Sequence, residues 1–135
     1  MPADFIQWDP TCHHDDENIF KLLNDFLDKK PLYSFVSPVK LMYIWGHSYE
    51  FDVNQNWSHI EKVLSLSAHH DDVWYATNID ICQYVKMYHN LIFSVDSSCV
   101  FNPNSSSVWL GGMFSDDVIE VKPGAVEKLI PPAEM

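Results

Sequence analysis

Arginine is absent from the 135 residues, and eight lysines face nineteen acidic side chains, giving a formal net charge of −11 at neutral pH. Phosphate contacts need lysine and arginine to displace counterions, so nucleic acid and anionic membrane are not expected partners. Cys12, Cys82 and Cys99 stand far apart with no CxxC spacing. That excludes a zinc knuckle and a disulfide framework and suits a reducing, cytoplasmic setting. No apolar run approaches the roughly 20 residues of a membrane span, and the opening MPADFIQWDP lacks the charged and apolar regions of a secretory leader.

What remains is a chain of one-domain length, expected to bury about two-thirds of its unfolded surface without staples. In residues 15–28, Ile19, Leu22, Leu23, Phe26 and Leu27 form one helical stripe. Asp15 or Asp16 is placed to cap its start, and Lys29, Lys30 and Pro31 suit its end. Leu41 to Trp45 is continuously apolar, which predicts a strand covered on both faces. A second helix follows around Trp57, Ile60 and Leu64, with Ser58 and Glu61 at capping-box spacing. DVWYAT, 72–77, reads as another short buried strand. Asn78 can cap a third helix with the stripe Ile81, Tyr84, Val85 and Tyr88. Helix, strand, helix, strand, helix is an α/β unit with parallel strands.

From Leu91 the texture changes to short β-branched and aromatic runs broken by Asp-Ser-Ser, Asn-Pro-Asn and Gly-Gly, the signals of antiparallel hairpins. Ile119 and Val121 alternate with Glu120 and Lys122, so that strand has one wet face. The tail PPAEM is expected to fray. The division expected is residues 1–90 as the α/β segment and 91–135 as a hairpin extension.

His47 follows the apolar run LMYIWG. In parallel α/β folds reactive groups collect at the carboxyl ends of strands, and histidine is the side chain type that exchanges protons near neutrality. A strand-end histidine bonded to its loop is the plainer reading of position alone. Tyr49 follows in the loop, with Trp45 beside it. Glu50 and Asp52 either orient His47 or are solvated loop residues. The motif HHDD occurs twice, at 13–16 and 69–72. Neighbouring histidines diverge on a strand or helix, so neither copy is expected to chelate. His69 and His70 are expected on the surface. Cys12 is expected to be a small buried residue, since adjacency to His13 is no evidence of a thiol nucleophile.

PTCHH (10–14), YIWGHSYEFD (43–52), DDVWYATNIDICQYV (71–85) and FSVDSSCVFNPNSSSVWL (93–110) together resemble the carboxyl-terminal half of bacterial polysaccharide deacetylases of the NodB-homology type, carbohydrate esterase family 4-like. The resemblance implies a distorted (β/α) barrel, present here only in part, and metal-assisted removal of acetyl groups from N-acetylated sugars. His47 then matches the late-strand histidine that acts as general acid toward the departing amine. The resemblance also implies substrate contacts: Tyr49 as the best candidate platform for a sugar ring, Trp45, Glu50 or Asp52 toward sugar hydroxyls, His13 or His14, and Asn78, which is first a helix cap.

The family holds its divalent metal, such as zinc, through an Asp of a TFDDG-type motif and two His of an HxxxH-type motif. This chain has neither, and no two of its seven histidines are four residues apart. No metal ligand is therefore expected in it. A (β/α) barrel usually needs about 200 residues or more. The chain reads as half an enzyme, inactive alone, completed by an amino-terminal half supplied by another chain or by sequence absent here. The alternative is a non-catalytic carbohydrate-binding or structural remnant that self-associates. Either way an unpaired strand edge and an apolar face favour a partner or a homo-oligomer.

Overall fold

The computed structural model describes residues 4–28, 39–111 and 117–129. The chain divides into two compact units, Met1–Trp74 and Tyr75–Met135. The division falls ahead of the third helix rather than at residue 90, so that helix groups with the hairpins.

The first unit contains β1 (Cys12–His13), α1 (Ile19–Leu27), β2 (Ile44–Trp45), α2 (Tyr49–Val53) and α3 (Trp57–Ser67). β1 and β2 pair in parallel, Cys12 opposite Ile44 and His13 opposite Trp45. The ladder extends through Thr11 N–H to Tyr43 O (2.7 Å) and His14 N–H to Trp45 O (2.9 Å). The expected stripe of α1 puts Ile19 and Leu23 in the core, where Cys12 and Val63 meet them and Leu22, Met42, Ile44, Ile60 and Leu66 close around. Each such aliphatic side chain contributes about 1.5–3 kcal/mol by leaving water.

Several local expectations are corrected. The strand expected over Leu41–Trp45 is regular only at Ile44–Trp45, and Trp45 is 44% exposed. Ile44 is half-buried and Trp45 faces outward, so this strand has one wet face. In α3 it is Val63 that is buried, while Leu64 and Trp57 face outward. The helix starts one residue before Ser58, leaving Asn56 as a cap without a side-chain bond and the Ser58–Glu61 pair inside the helix. α1 likewise starts after Asn18, whose N–H is held by Asp16 Oδ1 at 2.8 Å. Residues 73–77 form no regular strand, and Trp74 and Tyr75 are exposed.

The second unit holds α4 (Asn78–His89), β3 (Ile92–Phe93), β4 (Cys99–Phe101), β5 (Val108–Gly111), β6 (Val118–Val121) and β7 (Val126–Lys128). The predicted antiparallel pairing is present as one sheet ordered β3-β4-β7 and a second, β5-β6. Leu91, Val100, Val108 and Val121 form its core, with Tyr84, Met87 and Ile119 packed on them. Val85 and Cys82 of α4 are also buried, whereas Tyr88 is exposed. The hydroxyl of Tyr84 accepts the outward N–H of Trp109 on β5 at 3.0 Å.

Asn102 is fully buried: its Nδ2 donates to Val121 O (2.7 Å) and Ser106 O (2.9 Å), and its Oδ1 accepts from Asn104 N (2.9 Å) and Asn104 Nδ2 (2.8 Å). The 94–98 turn closes on Asp96, whose carboxylate takes the Ser94 and Ser98 hydroxyls and the Ser98 N–H. Those donors, Ser94 first, lower its pKa to about 2. The expectations for Lys29, Lys30, Pro31, the second glycine of the Gly-Gly turn (Gly112) and the PPAEM tail lie outside the described residues. Among the described residues no helix is long and apolar enough to cross a membrane.

Candidate functional site

Because β1 and β2 are parallel, their carboxyl ends open onto the same edge, and the chain leaves that edge at His13–His14 on one strand and Gly46–His47 on the other. Gly46 sits at φ +153°, in the region that favours glycine, and a Cβ there would lie 1.9 Å from Cδ2 of His14. Glycine is what lets β2 pass the His14 ring.

Residues 49–53, expected to be loop, form the short helix α2, and Glu50 lies in its first turn. A carboxylate is favourable there because the first N–H groups of a helix are unpaired. This turn carries Glu50 back across the strand ends. Its Oε2 accepts the His47 backbone N–H at 2.9 Å and His14 Nε2–H at 2.7 Å, and lies 3.3 Å from His13 Nε2. The His47 N–H, then the His14 bond, hold the Glu50 carboxyl below its ordinary pKa against a smaller opposing effect of burial.

His14 is 3% exposed, packed against the ring of Phe51 at 4.4 Å. The His59 imidazole donates from Nε2 to the His14 carbonyl at 2.7 Å. His14 Nδ1 is buried with no hydrogen-bond partner among the described residues. The His13 ring lies 4.2 Å from that of His14 and accepts the Asp15 N–H at Nδ1, 3.2 Å away. The divergence expected of neighbouring histidines does not hold here. His13 ends a strand and His14 opens a turn, so the alternation of a continuing strand is broken between them.

Above this cluster runs a ridge of rings. The His47 ring stacks on Tyr49 (5.2 Å, 17°) and meets Trp45 edge-on (5.5 Å), and Trp45 in turn meets His13 edge-on (5.3 Å). His47 is exposed, as are Trp45 and Tyr49, so both faces of chemistry, a proton-exchanging ring and stacking surfaces, meet solvent. Of the six predicted site residues, five converge: His13, Trp45, His47, Tyr49 and Glu50. Asn78 belongs to the second unit and is the first residue of α4, not its cap. Thr77 is the cap, in a capping box with Asp80.

Gly46 and His59 were not singled out by their sequence context. A lone glycine between a strand and a histidine carries no signal until its neighbour across the sheet is known. Asp52, offered as an orienting group for His47, instead accepts the Trp57 indole N–H at 2.7 Å. Cys12 is buried, as expected, and burial, with the charge of Asp16 second, raises its thiol pKa. Compared with family models, with curated proteins and with solved structures, the chain has no match in any of the three.

Proposed function

We propose that this chain is the carboxyl-terminal portion of a polysaccharide deacetylase of the NodB-homology type, contributing the general acid His47 and part of the sugar-binding lip for hydrolysis of N-acetyl groups on a carbohydrate polymer. The observation that carries this reading is the position of His47. It stands at the carboxyl end of a parallel strand, exposed, with its ring flanked by Tyr49 and Trp45. A general acid needs a mount that fixes the ring and a face left open to the leaving group. Sugar rings stack on exposed aromatics of this kind.

The partial-barrel reading is supported by the parallel pair itself, whose two outer edges are unpaired among the described residues. Strands delivered by an amino-terminal half would cover them. The family's TFDDG and HxxxH motifs have no counterpart in this chain, so its residues do not fit the family's metal set and no step is assigned through that metal here. A cytoplasmic location belongs to the same reading, since the three cysteines are free thiols.

The test is complementation. Mixed with a polypeptide carrying the TFDDG and HxxxH blocks, the chain is expected to deacetylate N-acetylglucosamine oligomers, and His47→Ala to lower that rate about 10²–10⁴-fold. An unchanged rate in the variant removes His47 from the role. If the mixture is inert while chito-oligosaccharide still shifts the Trp45 and Tyr49 resonances of the chain alone, the non-catalytic carbohydrate-binding alternative replaces it.

A further inference from the structure

We propose that His13, His14 and Glu50 bind one divalent transition-metal ion at the carboxyl edge of the β1-β2 pair. The three residues each offer one ligand atom, and these atoms lie within 4.8 Å of one another. Two imidazoles and a carboxylate are the donor set of a catalytic-type zinc site, with the fourth position left to solvent. The same set suits iron(II), whereas magnesium and calcium take oxygen ligands.

One ligand separation already has the length that an ion needs. With metal–ligand bonds of about 2.0–2.1 Å, the edge of a tetrahedron is roughly 3.3 Å, the separation of His13 Nε2 and Glu50 Oε2 (3.3 Å). The 2.7 Å contact from His14 is a hydrogen bond and has to lengthen by roughly 0.6 Å to become such an edge. His14 and Glu50 are held before any ion arrives. The His47 backbone N–H fixes the carboxylate, and Gly46, Phe51 and the His59 bond to its carbonyl fix His14. Orienting contacts of this sort sustain metal affinity in known sites. His13 and Glu50 are both partly exposed, which leaves an entry path.

The proton competes with the ion. Without metal, a His14 ring in its neutral form donates from Nε2, and a neutral His13 ring accepts the Asp15 N–H at Nδ1, which puts the single proton of each such ring on Nε2, facing Glu50. Metal binding at Nε2 moves each proton to Nδ1. For His14 that nitrogen has no acceptor, and for His13 it faces an N–H. Both effects lower the affinity, and both give the binding a spectroscopic signature.

The experiment uses the full chain, stripped by chelator and titrated separately with zinc and cobalt(II). One equivalent is expected to bind saturably. The imidazole ¹⁵N signals of His13 and His14 should pass from Nε2–H to Nδ1–H tautomers, and cobalt should show the absorption of a four-coordinate nitrogen–oxygen site. His13→Ala, at a partly exposed position, and Glu50→Gln should each weaken binding by at least about 10–100-fold. If either variant fails to fold, the tautomer change in the unaltered chain decides. The proposal is overturned by absence of saturable binding, by binding that leaves these two rings unchanged, or by a thiolate charge-transfer band that assigns the ion to a cysteine. This assay reads binding and the complementation assay reads turnover, so either proposal can fail alone.

Discussion

Gly46→Ala tests the packing on which the site depends. Two costs add. The added methyl meets the buried His14 ring at 1.9 Å from Cδ2, with Nε2 at 2.8 Å, and that ring has nowhere to retreat because Phe51 lies against it. Overpacking of this kind costs about 1–3 kcal/mol. The backbone at φ +153° adds a further 1–3 kcal/mol, roughly, for a residue with a Cβ. The sum, about 2–6 kcal/mol, is a large share of the total stability of a unit this size, on the order of 4–11 kcal/mol.

Two other glycines separate the terms. Gly124 has φ +69° and open space around its Cβ position, so Gly124→Ala carries only the backbone cost, about 1–2 kcal/mol. Gly111 has open space and no such φ, so Gly111→Ala should be neutral or slightly stabilising. Urea denaturation followed by tryptophan fluorescence is expected to give a midpoint for Gly46→Ala lower by about 1 M or more. A loss no larger than that of Gly124→Ala would refute the claim that His14 is locked against this glycine.

Asn102→Ala removes the partner of two carbonyls and two N–H groups in a buried place and should destabilise the second unit by about 3 kcal/mol. Asn102→Asp should cost more, because a carboxylate would then face Val121 O and Ser106 O; equal stability of both variants with the parent would show that water replaces the amide. Asp96 has a folded pKa of about 2, below its unfolded value near 3.9, so its contribution is complete above pH 4 and lost as pH falls toward 2. An NMR titration of its carboxyl carbon should show a midpoint near 2, and Asp96→Asn should remove that part of the acid dependence; a midpoint near 4 would mean that the Ser94 and Ser98 bonds do not persist in solution.

Elements whose logic is local were readable from sequence. The stripe Ile19, Leu23 needs only the period of a helix, and the Ile119/Val121 alternation only that of a strand. Elements whose logic lies across the sheet were not. DVWYAT has the composition of a buried strand, but composition does not supply the neighbouring strand that a ladder needs, and residues 73–77 adopt no regular strand. Helix α2 has five residues, too few for a period to appear, yet it brings Glu50 to His14. The position of His47 followed from the run LMYIWG before it, whereas the meeting of His13, His14 and Glu50 needed the parallel register Cys12–Ile44, which no single segment encodes.

The Tyr84 hydroxyl has a consequence for solubility. Among the described residues β5 pairs only with β6, and its Trp109 N–H would otherwise project toward any extended peptide that came by. By engaging that donor from within its own unit, the phenol denies a foreign chain its first rung. A protein with Val118, Trp109, Phe93 and Ile92 all exposed has reason to guard such a rung, because apolar contact and ladder formation reinforce each other once either begins.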